Sequence, residues 1–138
     1  DDLFAQVHRL GLENRVLFPG YIRAKDKAAL MSGALAFTFP SLYEGFGLGP
    51  IEAMACGTPV VCSNRSSLPE VVGKAGLLVD PLDVIALAGA MSQLLADEDL
   101  HHDLAAAGRR QAARFTWSSF SMPINSRPLS RSLSLVWN

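Results

Sequence analysis

The predicted fold rests on one glycine-rich stretch at residues 41–57, which reads SLYEGFGLGPIEAMACG. An apolar run at residues 35–39 precedes it, and a second apolar run at residues 59–62 follows it. Pro50 suits the first turn of a helix, because the N–H that proline lacks would have no partner there. Gly57 suits the left-handed position just past the end of that helix. The stretch therefore predicts a strand, a glycine loop, a helix and a second strand.

The predicted glycine loop lies where α/β proteins bind their ligands. Loops at the carboxyl ends of parallel strands line the ligand crevice of an open sheet. Free backbone N–H groups at the start of the following helix attract anions, and phosphates above all. Two carboxylates flank the loop, because Glu44 and Glu52 stand on either side of it with seven residues between them.

This arrangement resembles the Glu-x7-Glu signature of the retaining GT-B glycosyltransferases, in particular glycosyltransferase family 4, the glycosyl transferases group 1. The surrounding sequence strengthens the resemblance, with FPSLYEGFGL at 39–48, EAMACGTPVV at 52–61, LPEVVG at 68–73 and GLLVDP at 76–81. The resemblance extends over roughly residues 10–117. A lone pair of glutamates at this spacing would mean little, whereas the order and context of these segments indicate the family.

The resemblance implies an α/β fold with a parallel, Rossmann-like sheet. GT-B enzymes have two such domains, the second of which binds the nucleotide-sugar donor, and they transfer the sugar to an acceptor in the cleft between the domains. Residues 1–117 resemble the later part of that second domain. The family's acceptor domain, and two strands that carry an Arg and a Lys for the donor diphosphate, have no counterpart in these residues. We therefore expect the chain on its own to be inactive.

The resemblance also implies roles for particular residues. Glu44, the catalytic candidate, accepts hydrogen bonds from hydroxyls of the donor sugar, and Glu52 accepts them from the ribose. Four backbone amides face the sugar and the distal phosphate, namely those of Gly45, Phe46, Gly47 and Leu48. Tyr21 and Ile22 meet the nucleobase. The resemblance implies no cofactor and no metal, and the donor is a UDP-, GDP- or ADP-sugar.

Each of these residues also has an ordinary structural interpretation. Glu44 could be a solvated loop carboxylate, and Glu52 an acid favoured near a helix start by the macrodipole. The glycines could serve only as turn residues, and Tyr21 could be a surface aromatic. At the level of function, the alternatives are a non-catalytic remnant or interaction module with the same fold, and a sugar-nucleotide 2-epimerase.

Composition restricts the partners of the chain. The 138 residues are 49% hydrophobic and 18% charged with a net charge of −1, which disfavours binding to nucleic acid or to an acidic membrane surface. No apolar run approaches the ~20 residues of a membrane helix, so no transmembrane segment is predicted. Cys56 and Cys62 are predicted to be buried reduced thiols, which favours the cytoplasm. The three histidines, His8, His101 and His102, are predicted to be solvated.

The remaining pattern predicts strands that alternate with helices. Further helices are predicted at residues 2–10, 26–32 with Asp26 as the cap, 66–70 onward, 83–96 and 99–115. Further strands are predicted at residues 15–18 and 76–79. Residues 118–138 contain seven serines and no acidic residue. This tail has no hydrophobic period, so it is predicted to be disordered or loosely packed.

Overall fold

A computed structural model describes residues 2–115 of the chain. The predicted disorder of residues 118–138 falls outside the described residues. Within them, no helix is both long and apolar enough to cross a lipid bilayer.

A parallel three-stranded sheet forms the centre of the described region. Its strands are β1 (Phe37–Phe39), β2 (Val60–Ser63) and β3 (Leu77–Val79), in the spatial order β1-β2-β3. Both pairings are parallel, with Thr38 opposite Val61 and Cys62 opposite Leu78. All four residues of β2 are buried, as expected for a central strand covered on both faces. The predicted α/β fold with a parallel sheet is confirmed.

Helices join and cover these strands. They are α1 (Leu3–Arg9), α2 (Ala24–Gly33), α3 (Leu48–Ala55), α4 (Leu68–Val72), α5 (Val84–Ala96) and α6 (Glu98–Ala112), with a 3₁₀ turn at Gly73–Ala75. Parallel neighbours need a crossover connection. Helix α3 makes the connection from β1 to β2, and α4 with the 3₁₀ turn makes the connection from β2 to β3.

The two faces of β2 belong to two different apolar clusters. Val60 and Cys62 pack with Ile51, Met54 and Leu68 among others, whereas Val61 packs with Ala90, Leu94 and Leu104. Successive side chains of a strand point to opposite faces, so the three apolar residues of β2, Val60 to Cys62, serve both clusters. The side of the sheet carrying α3 and α4 holds the larger cluster, and this side also carries the glycine loop.

Helix α6 connects parts of the chain that are distant in sequence. His101 Nε2 donates to the Leu35 carbonyl oxygen at 2.7 Å, just before β1. Gln111 Nε2 donates to the Val71 carbonyl oxygen at 2.8 Å, at the end of α4. Between these contacts, a Cβ at Gly108 would lie 3.2 Å from Cγ of Met54, so the glycine allows α6 to approach α3 closely. The expectation that His101 is solvated is therefore wrong.

The strand predicted at residues 15–18 does not form. The Arg15 amide instead donates to the Leu12 carbonyl oxygen at 2.8 Å in a turn, and residues 16–20 have no regular structure. Leu17 is 77% exposed, and Phe18 packs its ring on that of Phe4 at 4.2 Å between centroids. A short apolar run becomes a strand only beside a pairing partner, and the described sheet offers it none.

The predicted cap at Asp26 is also wrong. Helix α2 begins at Ala24, and Asp26 lies in its first turn, where its carboxylate accepts from Arg23 Nε at 2.8 Å. An acid is favoured there by the positive end of the helix dipole even without a capping bond. The caps of the two long helices do use aspartate: Asp83 accepts from the Ala86 amide, and Asp97 from the Leu100 amide, both at 2.9 Å.

Gly57, which was predicted to be left-handed, allows a test of whether the chain needs this conformation just after α3. Gly57 has φ +74°, and an added Cβ would overlap the Arg109 guanidinium, which can move aside. The positive φ cannot be relieved in this way, so Gly57→Ala should lower the free energy of unfolding by ~1 kcal/mol or more. Urea unfolding would measure the loss.

Gly89→Ala is the matched control for that measurement. Gly89 is an exposed residue inside α5, and an added Cβ there meets nothing within 4 Å. Alanine is the better helix former, so this variant should gain ~0.5–1 kcal/mol. Equal effects of the two variants would contradict the importance of the left-handed conformation at position 57.

Candidate functional site

The glycine loop, residues 40–47, runs from the carboxyl end of β1 to the start of α3. The connection after β2, residues 64–67, leaves the sheet at the same edge, because the two strands are parallel. Hydrogen bonds join the two segments directly. The glycine loop is thus held at the carboxyl edge of the sheet, where open α/β sheets bind ligands.

Glu44 is held mainly through its backbone. Its carbonyl oxygen accepts from Ser66 Oγ at 2.7 Å and from Ser67 Oγ at 3.1 Å, and its amide donates to Ser66 Oγ at 3.3 Å. The carboxylate accepts from Ser41 Oγ at 3.0 Å through Oε1. The residue is half-buried, so Glu44 is a fixed group of the loop and not a freely solvated carboxylate.

Two glycines of the loop differ in what the fold requires of them. Gly47 is the N-cap of α3 with φ +79°, and a Cβ there would lie 2.9 Å from Cδ2 of Leu68. Gly45 is exposed, its φ is not positive, and a Cβ there meets nothing within 4 Å. Turn formation and packing explain Gly47, whereas neither explains Gly45.

Several amides at this edge are free to bind a ligand. Within residues 2–115, no hydrogen bond uses the backbone N–H of Gly45, Gly47 or Leu48. Leu48 opens α3, and the first amides of any helix lack a partner within it. The dipole of α3 adds partial positive charge at the same place. Such a group of donors is suited to an anionic or hydroxyl-rich ligand.

Phe46 lies between two of these residues in sequence, and its side chain anchors the loop. Its ring meets that of Phe115 edge to face, with 5.9 Å between the centroids, and about half of the side chain remains exposed. Leu48 also leaves much of its side chain in solvent. The side chain of Phe46 therefore packs the loop against the end of the described chain, whereas Leu48 contributes less to its packing.

Glu52 is the fifth of the eight residues of α3 and forms an ion pair with α2. Lys27 Nζ is 2.6 Å from Glu52 Oε2, and the Glu52 side chain is only 15% exposed. Oε2 is buried without a well-aligned hydrogen bond, so the contact is chiefly electrostatic. Sequence reasoning did not identify Lys27, because a lysine in the first turn of a polar helix gives no signal of its distant partner.

Tyr21 and Ile22 lie in the segment that leads into α2. Tyr21 is 90% exposed and follows Gly20, which has a positive φ, while Ile22 is half-buried. Both residues precede α2, whose Lys27 forms the ion pair with Glu52. The structure therefore forms two groups: Glu44 with the serines after β2, and Glu52 with Lys27.

The two thiols are not poised for chemistry. Burial raises the pKa of Cys62 to about 12. Burial also raises the pKa of Cys56, and the Glu52 carboxylate adds to this effect while a hydrogen bond with Ser32 opposes it. A thiol needs a lowered pKa to act as a nucleophile at neutral pH. The described residues contain no group of three His, Cys, Asp or Glu side chains that could hold a metal ion.

The fold and this edge define a Rossmann-like domain of the ligand-binding kind, and comparison with known proteins identifies its family. The chain belongs to the glycosyl transferases group 1, whose family description matches residues 1–111. Membership of this group, expected from the glutamate motif, is confirmed.

Relatives with assigned activities match most of the chain. It is 45% identical over 119 residues to the O-antigen chain mannosyltransferase B of Escherichia coli, covering 86% of this chain and 31% of that protein. It is 40% identical over 117 residues to the MMP alpha-(1->4)-mannosyltransferase of Mycolicibacterium hassiacum, covering 82% and 28% respectively. The chain thus spans about three-tenths of the length of these relatives.

Solved structures match the same region. The sucrose-phosphate synthase of Thermosynechococcus elongatus superposes with a TM-score of 0.76 at 39% identity, over 81% of this chain and 29% of that one. Anabaena HepE, in complex with UDP-glucose, superposes with a TM-score of 0.76 at 32% identity, over 81% and 31%. A further HepE structure holds UDP and glucose. The chain has the Rossmann-like fold of GT-B domains.

The buried thiol of Cys62 predicts a pH effect on stability. Its pKa of about 12 in the folded chain lies above the ordinary value of 9.0, so the unfolded chain ionises first as the pH rises. The stabilisation is complete below pH 9 and is lost between pH 9 and about 12, by ~1.4 kcal/mol per pH unit. Comparison with Cys62→Ala by chemical unfolding isolates this effect from other titrating groups.

The difference in unfolding free energy between the two proteins should be constant below pH 9. It should then shrink as the pH rises to 10 and 10.5. A constant difference across this range would show that Cys62 is not buried as described.

Proposed function

We propose that residues 1–117 are part of the nucleotide-sugar-binding domain of a retaining glycosyltransferase. The intact enzyme would transfer a sugar from a nucleotide sugar to an acceptor with retention of anomeric configuration. The observation that carries this proposal is the glycine loop itself. Its three unpaired amides lie at the carboxyl edge of a parallel sheet, between Glu44 and Glu52. The HepE complexes with UDP-glucose, and with UDP and glucose, support the same class of ligand.

In this proposal Glu44 recognises the transferred sugar and is the catalytic residue. A carboxylate accepts hydrogen bonds only, which suits the hydroxyl groups of a sugar. Ser41 already donates to Oε1, so sugar hydroxyls are left the remaining lone pairs of the carboxylate. A charge-assisted bond of this kind contributes ~1.5–3 kcal/mol. The backbone bonds to Ser66 and Ser67 keep this carboxylate in place before the donor arrives.

The backbone amides bind the distal phosphate in the same proposal. The N–H groups of Gly45, Phe46, Gly47 and Leu48 face the sugar and that phosphate. Gly45 supports this role because the fold alone places no demand for glycine at that position. Neither glutamate contacts the diphosphate, since like charges would repel.

Glu52 binds the ribose hydroxyls on the other side of the loop. Oε2 is buried and paired with the Lys27 ammonium group, so Oε1 is the oxygen that can accept from the ribose hydroxyls. The ammonium group also offsets the negative charge of Glu52, which reduces its repulsion of the donor diphosphate. Tyr21 and Ile22 contact the nucleobase, which is uracil, guanine or adenine.

The whole enzyme requires more than this domain. We propose that the acceptor binds a separate N-terminal domain of the same protein, that catalysis occurs in the cleft between the two domains, and that the enzyme acts in the cytoplasm without a metal or cofactor. The 138-residue chain alone would then bind donor but not transfer the sugar. We expect that binding to be weak, with a Kd on the order of millimolar or above.

Removal of the two carboxylates should separate sugar from nucleotide recognition. Glu44→Ala should weaken UDP-glucose or GDP-mannose binding about tenfold and leave UDP or GDP binding unchanged, because its partner is the sugar. Glu52→Ala should weaken the binding of the nucleotide sugar and of the bare nucleotide alike, because the partner of Glu52 is the ribose that both contain. Titrations followed by ¹⁵N-resolved NMR detect millimolar binding and report stability in the same samples.

Glu70→Ala, at an exposed glutamate of α4, is the charge-matched control and should change neither Kd. If Glu44→Ala weakens the bare nucleotide as much as the nucleotide sugar, the role assigned to Glu44 is wrong. If the parent chain binds neither nucleotide sugar at ten millimolar or so, the non-catalytic alternative gains support over the donor-binding one.

A pair of glycine variants tests the loop independently of its charges. Gly47→Ala should destabilise the chain by ~1–3 kcal/mol, because it introduces both a positive-φ alanine and a clash with Leu68. Gly45→Ala should leave the free energy of unfolding within ~0.5 kcal/mol of the parent value. It should nevertheless weaken nucleotide-sugar binding severalfold, since its methyl group would occupy the face where the ligand lies.

Chemical unfolding and the same NMR titrations measure both effects. Unchanged donor binding by Gly45→Ala would exclude close approach of the ligand to that part of the loop.

A further inference from the structure

The connection after β2 holds the Glu44 carbonyl group with two hydroxyls. Ser66 Oγ donates to the carbonyl oxygen at 2.7 Å and Ser67 Oγ at 3.1 Å. Ser66 Oγ also accepts from the Glu44 amide at 3.3 Å. These bonds join residues more than 20 positions apart, so they fix the glycine loop relative to the start of α4 rather than within its own turn.

Fixing this carbonyl also fixes the amide of the next residue. The Glu44 C=O and the Gly45 N–H belong to one planar trans peptide unit, in which the two groups point in opposite directions. Two serines anchor the carbonyl on the α4 side, so the Gly45 N–H points away from α4. On that side Gly45 is exposed, and its N–H has no partner within the described chain.

Ser66 adopts an unfavourable backbone conformation while it makes these bonds. It is the only non-glycine residue with a positive φ in the described part of the chain, at +58°. Glycine would adopt this conformation with less strain but would supply no hydroxyl. Strained residues of this kind occur where the surrounding structure has a use for them. In this structure, the strained conformation of Ser66 allows its hydroxyl to form two hydrogen bonds with the Glu44 backbone.

We propose that Ser66 and Ser67 are positioning residues that orient the Gly45 amide toward the distal phosphate of the nucleotide sugar. This inference rests on the proposed function, because it assigns a further role within the same site. The serines do not contact the donor themselves. They hold a rigid peptide whose opposite end donates to an anionic oxygen, so the loop is ordered before binding. Neither side chain caps α4, so both hydroxyls serve the bonds to Glu44.

Substitutions of the two serines separate this role from a purely structural one. Ser66→Gly relieves the positive φ but removes both bonds to Glu44, Ser67→Ala removes one bond, and the double variant removes all three. Ser92→Ala is the matched control, because it removes a serine hydroxyl from the exposed surface of α5. Each protein is studied as the full 138-residue chain by thermal unfolding, amide hydrogen exchange and ¹⁵N NMR titration with UDP-glucose, GDP-mannose and ADP-glucose.

Ser66→Gly should keep or raise the thermal midpoint while the Glu44 amide exchanges about two- to tenfold faster. The same variant should bind nucleotide sugar about two- to tenfold more weakly, and the double variant more weakly still. The ligand-induced shift of the Gly45 amide should shrink in step, a signature that altered stability alone would not produce. Ser92→Ala should match the parent in every measurement.

The possible failures are distinguishable. An unchanged exchange rate of the Glu44 amide in the double variant would show that the two serines do not hold the Glu44 peptide group, whatever the effect on donor binding. Faster exchange with unchanged donor binding and an unchanged Gly45 shift would overturn the positioning role. If the parent chain binds none of UDP-glucose, GDP-mannose and ADP-glucose at about ten millimolar, the proposed function fails together with the donor role of the serines, while the exchange data still test whether the serines hold the Glu44 peptide group.

Discussion

The parallel direction of the three described strands is the constraint on which the rest of the structure depends. Because β1 and β2 run the same way, the segments that follow them leave the sheet at one edge and meet there. If β2 ran in the opposite direction, Ser66 and Ser67 would lie at the far edge from Glu44. The cost of this arrangement is a largely apolar β2, whose four residues, including the one polar residue Ser63, are all buried. A binding edge made of polar loops thus requires an apolar strand behind it.

The domain fixes its two motif carboxylates by different physical means. Glu44 is fixed through its peptide groups, and its carboxylate keeps acceptor capacity beyond the one bond from Ser41. Glu52 is fixed through its charge, because a largely buried carboxylate needs a countercharge and Lys27 supplies it. The first arrangement leaves the carboxylate available to a partner that donates several hydrogen bonds. The second leaves a partly neutralised group beside a site proposed to hold a diphosphate.

The features that could be predicted from sequence depend on local backbone constraints. Pro50 in the first turn of α3 and Gly57 in the left-handed conformation after it follow from what those two residue types can and cannot adopt. The strand expected at residues 15–18 failed because a strand needs a neighbour, and pairing is not a local property. The extent of α2 was also only approximate, since Asp26 lies inside the first turn instead of before it.

The glutamates and amides of the candidate site were predicted from the sequence and remain a prediction of function, whereas the residues that support them in the fold were not predicted. The order of glycines and acids along one loop identifies the loop. Lys27 pairs with Glu52, and Ser66 and Ser67 pair with Glu44, each across more than 20 positions, and nothing in a single sequence reveals these pairs. Ser66 and Ser67 resemble a helix cap in sequence because hydroxyl residues before a proline-containing helix usually serve that purpose. Only the folded chain shows that their hydroxyls are used elsewhere.

Helix α6 gives this edge a cooperative dependence on a distant part of the chain. It binds the Leu35 carbonyl before β1, packs on α3 at Gly108 and binds the Val71 carbonyl at the end of α4. The glycine loop lies between the first two of these contacts in sequence, and the serine pair immediately precedes the third. Detachment of α6 therefore loosens both sides of the loop in a single event, as one unit of subglobal unfolding. The order of the candidate binding edge thus depends on the last helix described, although no α6 side chain is bonded to the glycine loop or to the serine pair within residues 2–115.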